Sequence, residues 1–176
     1  NAEIYWGDET GLRSDESRHR RYAPRGRTPV VHLPARRKSL SLISAITNQG
    51  KVRFMIYPGA LRPKTLIKFM GRLIRDAHRK VYLILDNLNV HKSRDVRLWL
   101  DVHKEKIEVF YLPPYSPELN PDEYLNGDLK RAVHQDVVPK DAQQLKLIAQ
   151  RHLRVIQRSR RRVRNYFKHR EIRYAA

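Results

Sequence analysis

Cysteine is absent from this chain, which excludes disulfides and thiolate-held metals. No apolar run approaches the roughly 20 residues that a membrane-crossing helix needs. The first residues lack the basic start and apolar stretch of a secretory signal. A cytoplasmic protein with no membrane partner is the expectation. Acidic residues are scarce too: 18 Asp and Glu stand against 37 Lys and Arg, a net charge of +19. That imbalance says little about fold and much about partners, of which nucleic acid is the commonest. A ribosomal or merely soluble basic protein would carry the same signature.

What is present fits one domain. At 176 residues the chain can bury roughly 70% of the surface its unfolded form exposes. It opens at Asn1, without a methionine and almost inside a strand, and so reads as a fragment of something longer. Basic residues thicken between Arg13 and Lys38 and again between Arg151 and Arg173.

Glu3 to Asp8 reads as a strand, with Ile4, Trp6 and Asp8 on one face. From Glu9 to Lys38 no period is sustained, and an excursion of that length in a compact domain is usually functional or disordered. Ser39 to Thr47 and Lys51 to Tyr57 form a hairpin about Asn48-Gln49-Gly50. Leu66, Met70, Leu73 and Ala77 mark an amphipathic helix over 63–79. Val81 to Leu85 is apolar on both faces, as in a central parallel strand. A helix over 93–106, a strand over 107–112 and a helix capped by Asn120-Pro121 follow. A long basic helix closes the chain over 141–170. Three leading strands and then alternating helices and strands describe an α/β fold, a mixed five-stranded sheet flanked by helices.

Three acids stand at element ends. Asp8 ends the first strand and Asp86 the fourth. If those strands pair in parallel, the two carboxylates meet at one sheet edge, where ligands of open α/β sheets gather. Adjacent unpaired carboxylates need a proton or a cation between them, and oxygen ligands suit Mg2+ or Mn2+. With Glu123 as a third arm, two ions roughly 3.5–4 Å apart could activate a water and stabilise a leaving phosphodiester oxygen. Each acid also has a plainer reading: Asp8 as a turn former, Asp86 as a strand-to-loop junction, Glu123 as a capping-box residue. Paired carboxylates would also serve glycoside hydrolysis, which leaves the positive charge unexplained.

The segments LDNLNVHKS (Leu85 to Ser93) and LPPYSPELNPDE (Leu112 to Glu123) resemble the catalytic core of mariner-like transposases, nearest the bacterial insertion-sequence branch. WGDETGLRSD (Trp6 to Asp15) and APRGRTPVV (Ala23 to Val31) are similar to the first-acid segment of that branch. The resemblance implies one ribonuclease-H-like catalytic domain over 1–176, which cuts transposon ends and joins them to target DNA. Asp8, Asp86 and Glu123 would hold two Mg2+ or Mn2+ ions. Asn87 would make a backbone or phosphate contact, His91 would be structural, and Tyr115 and Ser116 would hold the loop that delivers Glu123. Family members carry an N-terminal helix-turn-helix region, and this stretch has none. In relatives the segment after the first strand can clamp one subunit to another, so 9–38 is a candidate clamp and a homodimer a candidate assembly.

Double-stranded DNA, as transposon ends and target, is the expected partner. Arg25, Arg27, Lys92, Arg154, Arg158, Arg161 and Arg162 are the candidate backbone contacts. A non-catalytic DNA-binding or oligomerising remnant, or a ribonuclease-H-like nuclease of other specificity, is the alternative.

Overall fold

The computed structural model describes residues 2–14, 24–27, 38–134 and 139–176. Its elements are β1 (Glu3–Arg13), β2 (Ser39–Ile46), β3 (Val52–Tyr57), α1 (Pro63–Ala77), β4 (Val81–Leu85), α2 (Arg94–Val102), β5 (Ile107–Tyr111), α3 (Asp122–His134), α4 (Ala142–Arg158) and α5 (Arg160–Tyr166). Short 3-10 turns lie at Asn89–Lys92, Pro117–Leu119 and Arg170–Ala175. The sheet runs β3-β2-β1-β4-β5. β1, β2 and β3 pair antiparallel, while β4 joins β1 in parallel and β5 joins β4 in parallel. This is the ribonuclease-H-like mixed sheet that the element order predicts.

Alternation along β1 sorts its side chains to two cores. Trp6 and Leu12 join Leu42, Ile46 and the inward residues of α3, α4 and α5. Tyr5 lies on the other side, with Ile43, Leu83 and the α1 stripe of Leu66, Phe69, Met70, Leu73 and Ala77. Burying such side chains contributes roughly 1.5–3 kcal/mol each. Among the described residues no helix is long and apolar enough to cross a membrane.

Three expectations change. β1 does not stop at Asp8: Thr10, Gly11 and Leu12 continue it against β2, in register with Leu42, Ser41 and Leu40. The excursion that follows is closed at its base, where Ser14 N–H donates to the Lys38 carbonyl (2.9 Å) and Lys38 N–H to Ser14 Oγ (3.0 Å). Apart from residues 24–27 and Lys38, the candidate clamp beyond Ser14 lies outside the described residues. β4 is an interior strand, parallel to β1 on one side and β5 on the other as expected, although β1 is the middle of the five. Val81, Leu83 and Leu85 are buried, but Tyr82 and Ile84 on its other face are only half-buried.

The closing helix is two helices. Ser159, at φ −107° and ψ 80°, parts α4 from α5. The hairpin turn explains where α5 goes. Gly50 sits at φ +87°, and a β-carbon there would come within 2.7 Å of the Arg160 carbonyl oxygen. Only glycine allows that approach and that backbone together.

α3, α4 and α5 are tied through one carboxylate. Asp128 accepts two hydrogen bonds from Arg162 (2.7 and 2.6 Å), one from Tyr166, and stands 3.0 Å from His152 Nε2. Burial pushes its pKa up, but the bonds from His152, Arg162 and Tyr166 outweigh that and hold it well below the usual carboxylate range. Arg162, expected on DNA, is therefore engaged inside the fold. Asp128→Ala should cost about 2 kcal/mol in urea unfolding at neutral pH, because it leaves the buried Tyr166 hydroxyl without its acceptor and removes the partner of the partly exposed Arg162. A carboxylate with a depressed pKa stabilises above its unfolded value and loses that contribution on acidification. The wild-type advantage over the variant should thus shrink below about pH 4. Equal stability of the two at neutral pH would show that this cluster ties nothing together.

Candidate active site

The parallel register sets the site. Glu3 faces Val81 and Trp6 faces Ile84, so continuing two residues brings Asp8 level with Asp86. There β4 has ended, while β1 runs on against β2 with Asp8 opposite Ser44. Gly7 makes the close packing possible. A β-carbon on it would lie 3.0 Å from both the Ser44 carbonyl oxygen and Leu85 Cδ2.

Asp86 is steadied from behind. His91, 2% exposed, lies with Nδ1 3.0 Å from the Asp86 carbonyl oxygen and 3.1 Å from its carboxylate. Tyr111 in turn donates to the His91 carbonyl (3.0 Å). Asn87 Nδ2 donates to the Leu112 carbonyl (2.6 Å), joining the end of β4 to the end of β5. Asn87 thus makes a backbone contact within the protein.

Glu123 arrives on α3. The Asn120 side chain accepts from Asp122 N–H (3.1 Å) and donates to the Gly7 carbonyl (3.1 Å). One buried amide therefore caps the helix and hooks it to β1 beside Asp8. Asn120 N–H is given to the Pro117 carbonyl (2.9 Å), so Glu123 is not held as a capping-box residue and its side chain is exposed. In the loop before it, Tyr115 is fully exposed at φ 56°, a left-handed backbone that strains a residue other than glycine by about 1 kcal/mol. Ser116 Oγ donates to the Pro114 carbonyl (3.3 Å).

Three residues that sequence reasoning missed, Ser44, Asp122 and Asn126, complete the surroundings. Asn126 Nδ2 donates to Asp8 Oδ2 (2.8 Å), and Ser44 Oγ donates to Asp122 Oδ2 (2.5 Å). Asp122 is fully buried, its other oxygen without a partner. Burial, against the Ser44 bond and with the nearby charges of Asp8 and Glu123, holds its pKa well above the usual range. The only sequence signal was their spacing: Asp122 and Asn126, four apart, share the inward face with Leu125 and Leu129.

Asp8, Asp86 and Glu123 line one cavity of about 430 Å3, together with Asn87, Tyr115 and Ser116. No Lys or Arg is among its lining residues. In a chain of +19, three carboxylates without a base are a marked exception. The cost appears on Asp8, whose pKa is pushed up to about 7 by burial, then by the charges of Glu123 and Asp86. Among the described residues no three acidic or imidazole groups already stand close enough to hold an ion. The donor set of hard oxygens and no nitrogen or sulfur fits Mg2+ or Mn2+.

The other candidate contacts are dispersed. Arg25 and Arg27 are exposed in the described tip at 24–27. Lys92 lies beyond Asp86 with Nζ 5.0 Å from the Tyr111 ring centroid. Arg158 and Arg161 are exposed on α4 and α5, and Arg154 lines a second groove.

A family model of the DDE superfamily endonucleases matches residues 3–146. The chain belongs to that superfamily. It is 26% identical over 120 residues to the insertion element IS630 uncharacterized 39 kDa protein of Shigella sonnei, a match covering 66% of this chain and 34% of that protein. This DDE endonuclease chain also superposes on the Mos1 mariner paired end complex with Mn, at TM-score 0.67 and 18% identity over 98% of this chain and 55% of that one. The Mos1 transposase paired-end complex with left transposon end gives TM-score 0.66 and 20% identity, over 98% and 55%. At such identities the likeness is one of fold, that of a DDE transposase catalytic domain. The chain spans about a third of the length of the insertion-element relative (34%) and just over half of each Mos1 chain (55%).

An acid whose pKa is raised on folding stabilises the fold as the neutral form. That contribution is complete below its unfolded value and lost as pH climbs through its folded one, here from 3.8 to about 7. In EDTA, Asp8→Asn should therefore raise the melting temperature by roughly 5 °C near pH 8 and change it little near pH 4. A variant that melts lower than wild type near pH 8 would mean that the Asp8 charge is compensated after all.

Proposed function

We propose that this chain is the catalytic part of a DNA transposase, cutting phosphodiesters at transposon ends and joining those ends to target DNA. The observation that carries the reading is the cavity lined by Asp8, Asp86 and Glu123 without one base, in a chain otherwise rich in cations. The acids attract metal where the rest of the surface attracts phosphate. Membership of the DDE endonucleases and likeness to transposase complexes with Mn and with transposon-end DNA support it.

In this reading Asp8, Asp86 and Glu123 hold two Mg2+ or Mn2+ ions. Bound there, the ions would lower the pKa of an attacking water or hydroxyl and neutralise charge on the leaving oxygen. The protein does the rest by placement. His91 fixes the Asp86 carboxylate, Asn126 orients Asp8, and Asn120 sets where α3 presents Glu123. Tyr115 and Ser116 shape the loop on the cavity's rim. Double-stranded DNA, as transposon end and as target, is the substrate, and the nucleoid in the cytoplasm is where the chain would meet it.

Asp86→Asn should reduce Mn2+-dependent nicking of a supercoiled plasmid by a factor of roughly 1000 or more, in line with the loss of a metal's transition-state stabilisation. Mn2+ affinity, followed by calorimetry, should fall with it. If wild type and Asp86→Asn bind Mn2+ alike, the acids are not the metal site. If wild type binds Mn2+ but nicks nothing, the remnant reading replaces the catalytic one.

A further inference from the structure

A second groove lies on the far edge of the sheet from the acids. It has a volume of about 860 Å3 and follows edge strand β3, with α1 on one side and α4 on the other. Its walls are two matching stripes. α1 contributes Lys64, Lys68, Arg72 and Arg75, and α4 contributes Lys146, Gln150, Arg154 and Gln157. Both follow the spacing of four, four and three residues that keeps side chains on one helical face. Each stripe is about 16 Å long at 1.5 Å per residue.

Charge in this groove is not balanced within the protein. Asp76 is the single acid on its lining, and it already takes Arg53 (3.2 Å) and Arg75 (3.4 Å). Gln157 donates to the Val52 carbonyl (2.8 Å), tying α4 to the strand. Lys64, Lys68, Arg72, Lys146 and Arg154 are exposed and have no ion-pair partner among the described residues. Some cations elsewhere are paired, as Lys80 is with Glu108 (3.2 Å) and Arg162 with Asp128; what sets these five apart is that they line two facing walls of one groove. Lys64, Lys68 and Arg72 are moreover like charges four apart, an arrangement that weakens a helix. A polyanion in the groove would relieve that repulsion from both walls.

We infer that this groove is a DNA backbone track: it holds one phosphate strand of duplex DNA, away from the acid cavity and without reading bases. It rests on the DNA-handling function proposed above and adds a second surface to it. A strand offers one phosphate per 3.4 Å of helix axis, so about 16 Å of groove spans roughly five phosphates, which matches five free cations. β2 lies between the track and Asp8 on β1, and β2 and β1 both lie between it and Asp86 at the end of β4. Its occupant therefore gains affinity without touching the reacting bond. Of the residues the sequence marked as DNA contacts, only Arg154 belongs to it, because α1 and α4 are brought together by the fold alone.

The experiment is a salt series of anisotropy titrations of the 176-residue chain against a random-sequence duplex. Lys68→Ala/Arg72→Ala/Arg154→Ala should weaken binding roughly tenfold near 0.1 M salt and flatten the plot of log affinity against log salt by about 2 to 3. Mn2+ affinity should stay at the wild-type value. As a control, Arg94→Ala/Arg97→Ala/Lys104→Ala removes as many exposed cations from the α2 side and should change the slope little. Equal flattening by both variants would overturn the track in favour of diffuse charge. So would a groove variant with wild-type affinity and slope, and if that wild type also nicks, the transposase reading stands while the track falls. A groove variant that loses a polyglutamate peptide but keeps its duplex slope would mean an acidic protein partner instead. A wild type that binds no duplex even at low salt would remove the DNA reading and the track together.

Discussion

Parallel pairing of β1 with β4 holds two carboxylates level, Asp8 within β1 and Asp86 just past the end of β4, and the surrounding structure is built to withstand their repulsion. Backbone hydrogen bonds fix the separation, because Asp8 cannot retreat while β1 runs on against β2 as far as Arg13. Gly7 brings β2 and β4 close behind it, leaving no room for a side chain. The Asn120 amide draws α3 to the same strand, and with it a third acid. Repulsion is resisted by covalent chain and sheet, so the acids stay near one another without a base between them.

The same fold separates charge of opposite sign. Acids that stabilise the domain are paired with bases, as Asp128 is with Arg162 and Glu3 with Lys51. Those lining the site cavity meet no Lys or Arg there, and only Asp86 has an imidazole beside it. Cations follow the complementary rule: inside the fold they meet carboxylates, while along the β3 groove most of them meet none. Interactions of both kinds fall off within about 10 Å at ordinary ionic strength, so the acid cavity and the basic groove act as distinct fields on one small domain.

Much of this was legible in the sequence, and the rest was hidden for physical reasons. The α1 stripe and the Asn120 cap were readable because helical periodicity and capping are local. The acids were readable because each lies beside an element end or a sharp motif. The extension of β1 was not, since Thr10-Gly11-Leu12-Arg13 looks like a loop until β2 supplies its hydrogen bonds. Nor was the break at Ser159, where residues on both sides favour helix and the approach of α5 to Gly50 decides the direction. Arg162 looked like its neighbours Arg160 and Arg161, and only the position of Asp128 on another helix sets it apart. Asn126 and Asp122 were obscured by Glu123, whose place in a recognisable motif drew the reading away from the helix face beneath it.

Asp122 illustrates how the site is supported without adding to its charge. A fourth ionised carboxylate beside Asp8 and Glu123 would make the repulsion worse, yet the position is fully buried and holds an acid. Burial itself resolves the conflict, because the neutral acid is favoured there and the bond with Ser44 remains available to it. In that form Asp122 fastens α3 to β2, as Asn120 fastens it to β1. Two short polar side chains thereby fix the base of the helix from two strands. Glu123, next to Asp122 in sequence, is left free to face the cavity. Rigidity at the base and freedom at the tip are what a carboxylate needs if it is to close on a cation that arrives later.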